Sequence, residues 1–170
     1  MMEKINNSIG YSNVADAEAD PSWQLFQRPG FLARRVHQIH VSLFSELCGS
    51  FGVTPVQYSL LSALAQLDEA DQTTLARAVA LDRTTTTGAL KRLEARGFVL
   101  RGTSPTDRRA QSCRLTDAGR SILAEMEDAA RGAHMATVEM LSPDEQTQLI
   151  EAMKKIVSFH EGRSFSLNLL

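Results

Sequence analysis

Apolar residues recur every three or four positions along most of this chain, and the places where that period fails divide it into elements. Leu32, Val36, Ile39, Leu43 and Leu47 form one stripe, which predicts an amphipathic helix starting near Phe31 and stopped by Gly49 and Gly52. Thr54-Pro55 opens a second helix: Thr54 caps, Pro55 suits the first helical position and Gln57 completes a capping box, with Val56, Leu60, Leu61, Leu64 and Leu67 in helical period. A short helix follows over about 72–80, with Leu75, Ala76 and Val79 inward. Another runs from Arg83 to about Arg96, capped by Asp82, anchored by Leu90 and Leu93, and ended by Gly97. The period then changes. Phe98-Val99-Leu100 and the alternating stretch 110–115 predict two strands of a β-hairpin, joined by a charged tip rich in turn formers. Thr116 caps a fifth helix reaching about Met140, and Ser142-Pro143-Asp144-Glu145 starts a sixth that ends near His160. Residues 1–20 lack an apolar period and are expected to form a flexible tail; Trp23, Leu25 and Phe26 mark an arm, and 164–170 a second tail.

A length of 170 residues, 43% of them hydrophobic and 22% charged, fits one globular domain or one domain with appended helices. No stretch has the roughly 18 apolar residues of a membrane span, and no secretion signal is visible, so a cytoplasmic protein without a membrane partner is expected. Two cysteines, Cys48 and Cys113, are too few for a disulfide scaffold. Charge is more informative by position than in total. From Arg83 to Arg114 eight basic residues face two acidic ones, net +6, within a chain of net charge -2; residues 115–162 carry nine acidic and four basic, net -5. A concentrated basic segment suits an anionic partner, and a solvated charged face is the alternative.

Short helix, tight turn, second helix and basic-tipped hairpin is the order of a winged helix-turn-helix. In such a module the second helix enters the major groove of double-stranded DNA with its N-terminal residues at base edges. Here those residues are Arg83, Thr84, Thr85, Thr86 and Thr87. Four consecutive threonines are poor helix formers. They are expected to face a polar partner rather than fill a core, the other reading being capping and solvent exposure. Gly88 permits either close packing or close approach to DNA. Lys91 and Arg92 suit phosphates, while Arg96 suits packing or charge balance. At the hairpin tip Ser104, Thr106, Asp107, Arg108 and Arg109 are candidates, with Asp107 orienting Arg109 toward the minor groove.

Residues 54–119 resemble the core of the MarR family of bacterial transcriptional regulators. The resemblance is carried by Thr74-Leu75-Ala76, Leu81-Asp82-Arg83-Thr84, the run Leu90 to Val99, the wing text Asp107-Arg108-Arg109, and Arg114-Leu115-Thr116-Asp117-Ala118-Gly119. It implies a mostly α fold with a small β-hairpin wing, in which a winged helix-turn-helix is flanked by long dimerisation helices. It also implies a homodimer on a pseudo-palindromic operator, with the first, fifth and sixth helices at the dimer interface. Most members are repressors released from DNA by a small ligand or by oxidation. The expected organisation is a tail over 1–20, an arm and dimerisation helix over 21–53, the DNA-binding lobe over 54–116 and dimerisation helices over 117–170.

The first helix carries Arg34, Arg35, His37 and His40, with Phe44 continuing that side. Such a basic, aromatic-flanked strip suits a small aromatic anion; Tyr58 and Trp23 are further lining candidates, and surface or dimer-interface polarity is the alternative. The opening Phe31-Leu32-Ala33-Arg34-Arg35-Val36-His37-Gln38 resembles a subgroup linked to breakdown of aromatic acids, some of whose members sense CoA thioesters. Other readings are a redox sensor using Cys48 or Cys113, the latter beside Arg114, and a winged-helix module for protein interaction. A metal sensor is another reading, which would need His37, His40 and either His134 or His160 to converge with a carboxylate; no HExxH or CxxC spacing supports it, and no cofactor is expected. Nor is there a nucleophile–base motif or phosphate-cradling glycine loop, so an enzyme is not expected.

Overall fold

The computed structural model describes residues 24–103 and 111–161. Among them six α-helices and one small sheet follow in the order α1 (Pro29–Cys48), α2 (Pro55–Leu67), β1 (Glu69–Asp71), α3 (Gln72–Ala78), α4 (Arg83–Ala95), β2 (Val99–Thr103), β3 (Gln111–Leu115), α5 (Asp117–Val138) and α6 (Pro143–Glu161). The architecture is thus mostly α with a β wing, as expected. By internal contacts the chain divides at His37/Gln38, inside α1. In the first unit a 3-10 turn, Leu25–Gln27, precedes the helix, and the Phe26 ring meets Phe31 edge-on at 5.5 Å. No helix among the described residues is long and apolar enough to cross a membrane.

In the second unit the core gathers Phe44 and Cys48 from the end of α1, Leu60, Leu61 and Leu64 from α2, Leu75 from α3, Leu90 and Leu93 from α4, Val99, Cys113 and Leu115 from the sheet, and Met126, Ala130 and Ala133 from α5. The helix starts follow their capping residues. Thr54 and Gln57 close the reciprocal box of α2. Asp71 and Asp82 cap α3 and α4 in the same way: one carboxylate oxygen accepts the backbone N–H three residues on, the other accepts that residue's threonine hydroxyl. Gly97 takes φ 73 at the exit of α4, the left-handed turn that glycine adopts without strain.

The sheet has three antiparallel strands in the order β1-β3-β2, with Val99 opposite Leu115, Thr103 opposite Gln111 and Ala70 opposite Cys113. β1 adds a strand to the expected hairpin. It is three residues long, with only Ala70 inward, and so has no period to announce it.

The Leu115-Thr116-Asp117-Ala118-Gly119 stretch acts as a joint. The Thr116 hydroxyl donates to the Gly97 carbonyl at 2.6 Å and accepts from the Gly119 N–H at 3.0 Å, tying the start of α5 to the α4–β2 corner. A Cβ on Gly119 would lie 2.0 Å from the Phe98 carbonyl oxygen, so only glycine fits there.

Candidate nucleic-acid interface

α4 turns Thr86, Ala89, Leu90 and Leu93 into the core, which leaves Thr84, Gly88, Lys91 and Arg92 on its outward side. Arg83, Lys91 and Arg92 are exposed and have no acidic partner among the described residues. The other basic residues of the segment divide differently. Arg96 donates to the Gly52 and Phe51 carbonyls at 2.5 and 3.1 Å and lies over the Phe98 ring at 4.6 Å, fastening α4 to the loop before α2. Arg101 pairs with Glu94 at 3.5 Å. Packing and charge balance, two readings left open for Arg96, resolve as packing. Because three cations on the outer side of α4 stand unpaired among the described residues, as does Arg114 on β3, the basic segment reads as a surface prepared for an anion rather than a self-neutralised face.

The threonine run does not behave as one unit. Thr86 corrects the expectation that none fills a core: it is fully buried, and its hydroxyl donates to the Asp82 carbonyl at 2.8 Å. A buried hydroxyl in a helix interior is tolerated when it bonds the carbonyl one turn back. Thr84 and Thr85 are exposed, and Thr87 is half-buried against α3. Gln72, the first residue of α3, reaches across the turn: its amide donates to the Thr87 hydroxyl and to the Arg83 carbonyl. This clasp and the Arg96 fastening were invisible in the sequence, since each joins residues far apart whose side chains have no period to reveal them. At Gly88 an added Cβ would meet only the Arg92 guanidinium, at 3.6 Å, so the described residues favour open approach over close packing there.

The cap carboxylates belong to this surface. Asp82 is held below the usual carboxylate range by the Thr85 hydroxyl and then by the Thr85 N–H; Asp71 is lowered by the Thr74 N–H and then its hydroxyl. Both therefore stay ionised at the positive ends of their helices. The wing strands end at Thr103 and Gln111, and the tip candidates Ser104, Thr106, Asp107, Arg108 and Arg109 lie outside the described residues.

Of the expected ligand residues, His40, Phe44 and Tyr58 come together with a fourth from outside that set, His134 of α5. The His40 and His134 rings stack at 4.5 Å, Phe44 lies 6.1 Å from His40, and Tyr58 lies 5.3 Å from Phe44. The Thr137 hydroxyl links α1 and α5: it donates to the Ala133 carbonyl at 2.8 Å and lies in hydrogen-bond contact with Nδ1 of His40 at 3.0 Å. Beside this cluster an open cleft of about 490 Å³ is lined by Tyr58, Ser59, Ser62 and Gln66 of α2, the α3–α4 turn at Val79 and Ala80, and His134. Phe44 is a correction: it is buried in the core and supports the rings of His40 and Tyr58 instead of lining the cleft. Arg34, Arg35 and His37 are exposed on α1, and Trp23 lies outside the described residues.

Both cysteines are buried. Burial pushes the Cys113 thiol up, outweighing the Arg101 guanidinium that pulls it down, while Arg114, expected beside it, is exposed on the other face of β3. Burial likewise raises Cys48, a core residue. Neither thiol has the lowered pKa of a reactive cysteine. Among the described residues no three His, Cys, Asp or Glu side chains converge as metal ligands would.

Comparison with known proteins agrees with this geometry. The profile described as MarR family matches residues 53–110. The crystal structure of a probable transcriptional regulator from Pseudomonas aeruginosa is 32% identical, covering 78% of this chain and 99% of that one, with a TM-score of 0.73. BpsR of Bordetella bronchiseptica, whose DNA binding is regulated by 6-hydroxynicotinic acid, is 28% identical over 79% of this chain and 96% of its own, with a TM-score of 0.74. The HTH-type transcriptional repressor NicR of Pseudomonas putida is 27% identical over 82% of this chain and 89% of its own. The chain belongs to the MarR family and is a winged helix-turn-helix transcriptional regulator.

Proposed function

We propose that the protein is a cytoplasmic homodimeric repressor that binds a pseudo-palindromic operator and is released by a small aromatic acid or its CoA thioester. The observation that carries the DNA half is the outward side of α4, where Arg83, Lys91 and Arg92 stand exposed and unpaired among the described residues next to Thr84. In this reading Arg83, Thr84, Thr85 and Thr87 address base edges, Thr86 holds the helix from inside, and Lys91 and Arg92 address phosphates. Arg109 enters the minor groove, oriented by Asp107, with Ser104, Thr106 and Arg108 at the backbone. The dimer is supported by the apolar residues that α1 and α6 leave exposed, among them Leu32, Val36, Ile39, Ile156 and Phe159.

For the effector, the cleft has the size of a small-molecule site and offers hydrogen-bonding groups around a flat imidazole. BpsR, a relative, responds to a hydroxylated aromatic acid. Independently of this cleft, Arg34, Arg35 and His37 are proposed as cationic contacts for the effector and Trp23 as an aromatic one. The cleft includes Val79 and Ala80, which lie three and two residues before the cap of α4, so a ligand there would bear on the pose of the recognition helix.

The test is an electrophoretic shift on duplexes drawn from the DNA upstream of the protein's own gene, with and without a panel of aromatic acids and CoA esters. A salt-dependent shift with one preferred inverted repeat, reversed by a panel member and weakened in Arg109→Ala, is expected. Equal retention of every duplex would overturn the regulator reading; a specific shift that no panel member reverses would overturn the effector alone.

A further inference from the structure

The hydroxyl protons at the start of α4 are nearly all engaged within the chain. The Thr85 hydroxyl donates to the Asp82 carboxylate at 2.6 Å, that of Thr86 to the Asp82 carbonyl, and that of Thr87 to the Arg83 carbonyl at 2.7 Å while accepting from Gln72. The Thr84 hydroxyl makes no hydrogen bond within the described residues. A hydroxyl has one proton to donate. Thr85 and Thr87 therefore have no donor left for a phosphate oxygen or for the acceptor edge of a base. With Oγ1 turned back onto the helix, Cγ2 must occupy a different staggered position, and threonine is stiff about that bond. What these two side chains retain for a partner is a methyl group and hydroxyl lone pairs that can only accept. Between and beyond them the surface is low, because Gly88 has no side chain and space there is open up to Arg92.

Thymine is the one base that displays a methyl group in the major groove. We propose that Thr85 and Thr87 read thymine C5-methyl groups by apolar contact, with Gln72 as the positioning residue that holds Thr87 in its methyl-outward rotamer. This rests on the reading of α4 as the recognition helix and assigns the chemistry of its specificity: methyl contact at two positions, and hydrogen bonding by Arg83 and Thr84.

The test begins with the full-length protein selecting from a randomised duplex library. The enriched duplex is then resynthesised with uracil replacing thymine one position at a time, which removes the methyl and leaves base pairing unchanged. Removal of a contacted methyl is expected to weaken binding about fourfold. The double variant Thr85→Ser with Thr87→Ser keeps the hydroxyls, loses the methyls and is expected to bind both duplexes alike. Thermal melting checks that it folds. Should it not fold, Gln72→Ala is expected to abolish discrimination at one of the two positions and keep it at the other. Indifference of the wild-type protein to uracil everywhere would overturn the inference. So would discrimination that survives intact in the variants, because it would then arise from the DNA itself. Failure to enrich any sequence would overturn the recognition-helix reading as well, whereas enrichment without uracil sensitivity would overturn the methyl inference alone.

Discussion

Along α4 the inward residues Leu90 and Leu93 are 0% exposed, whereas along α6 Ile156 and Phe159 are 61% and 59% exposed. Both helices are amphipathic, both begin at a strong cap, and both would be read as surface helices of a folded domain. α4 meets its cover within the same chain, from α2, α3 and the sheet. α6 has no buried residue along its described length and is joined to α5 through Gln146, whose amide donates to the Val138 and Leu141 carbonyls at 3.2 and 2.9 Å. An apolar period states that a face must be covered; it does not state by what. That distinction separates the DNA-binding lobe, whose packing is internal, from the terminal helices, whose packing is proposed to need a second copy.

The sharpest way to break the comparison is to damage each side alone. Gly119→Val places side-chain carbon against the Phe98 carbonyl and is expected to destabilise the lobe by about 3 kcal/mol, since backbone leaves no room for repacking. A thermal melt showing no loss would refute the joint between α5 and the α4–β2 corner. Ile156→Asp with Phe159→Asp puts charges on the uncovered face instead. It is expected to shift the protein from dimer to monomer in sedimentation and to cost operator affinity by an order of magnitude or more, as two linked half-sites become one. A double variant that sediments as wild type would remove α6 from the interface.

The same contrast explains what could be read from the sequence. Helices α2, α3, α4, α5 and α6 were legible to within about two residues at either end because caps such as Thr54, Asp82, Thr116 and Ser142 act on the next turn, and both caps and apolar period are local signals. The outward cations of α4 followed from the same period. What stayed hidden depends on partners distant in the chain. Gln72 and Arg96 look like any surface side chains until the fold brings Thr87 and the Gly52 carbonyl to them. Thr86 was misread because three of its neighbours in a uniform run do face outward or sideways, and only the positions of Leu90 and Leu93 on the finished helix put it inside. His134 stands alone in a long helix, and its stacking on His40 spans most of the chain.

A smaller effect is expected where the two sides touch different chemistry. Lys91→Ala with Arg92→Ala should weaken DNA binding nearly uniformly across sequences and flatten the salt dependence by about 0.9 in log–log slope for each phosphate that is no longer neutralised. The α6 variant should lower affinity through loss of the dimer instead, with its deficit shrinking as protein concentration rises. Titrations at several salt concentrations distinguish the two, and a steeper or unchanged slope in the lysine–arginine variant would remove these residues from the phosphate backbone.

The smallest effect concerns the helix starts themselves. Asp82 at α4 and Glu145 at α6 both carry lowered pKa values, Asp82 through Thr85 and Glu145 through the Ser142 N–H and then its hydroxyl. A carboxylate lowered by folding contributes stability that is fully present above its unfolded pKa, in the range of about 4, and is lost as pH falls through the lower folded value. Both starts should therefore be insensitive to pH between 7 and 5, on the neutral side of that range, and loosen below 4. They should not loosen equally. α4 is backed within one turn by Thr86 and then by Ala89 and Leu90, all fully buried, while the first turn of α6 rests on its capping box and on Gln146. Amide hydrogen exchange across this pH range, corrected for the intrinsic rate, should show protection falling further at the start of α6 than at the start of α4. Equal losses at the two helices would mean that burial beneath α4 does not hold its first turn, and that the two helices differ less than their exposed faces indicate.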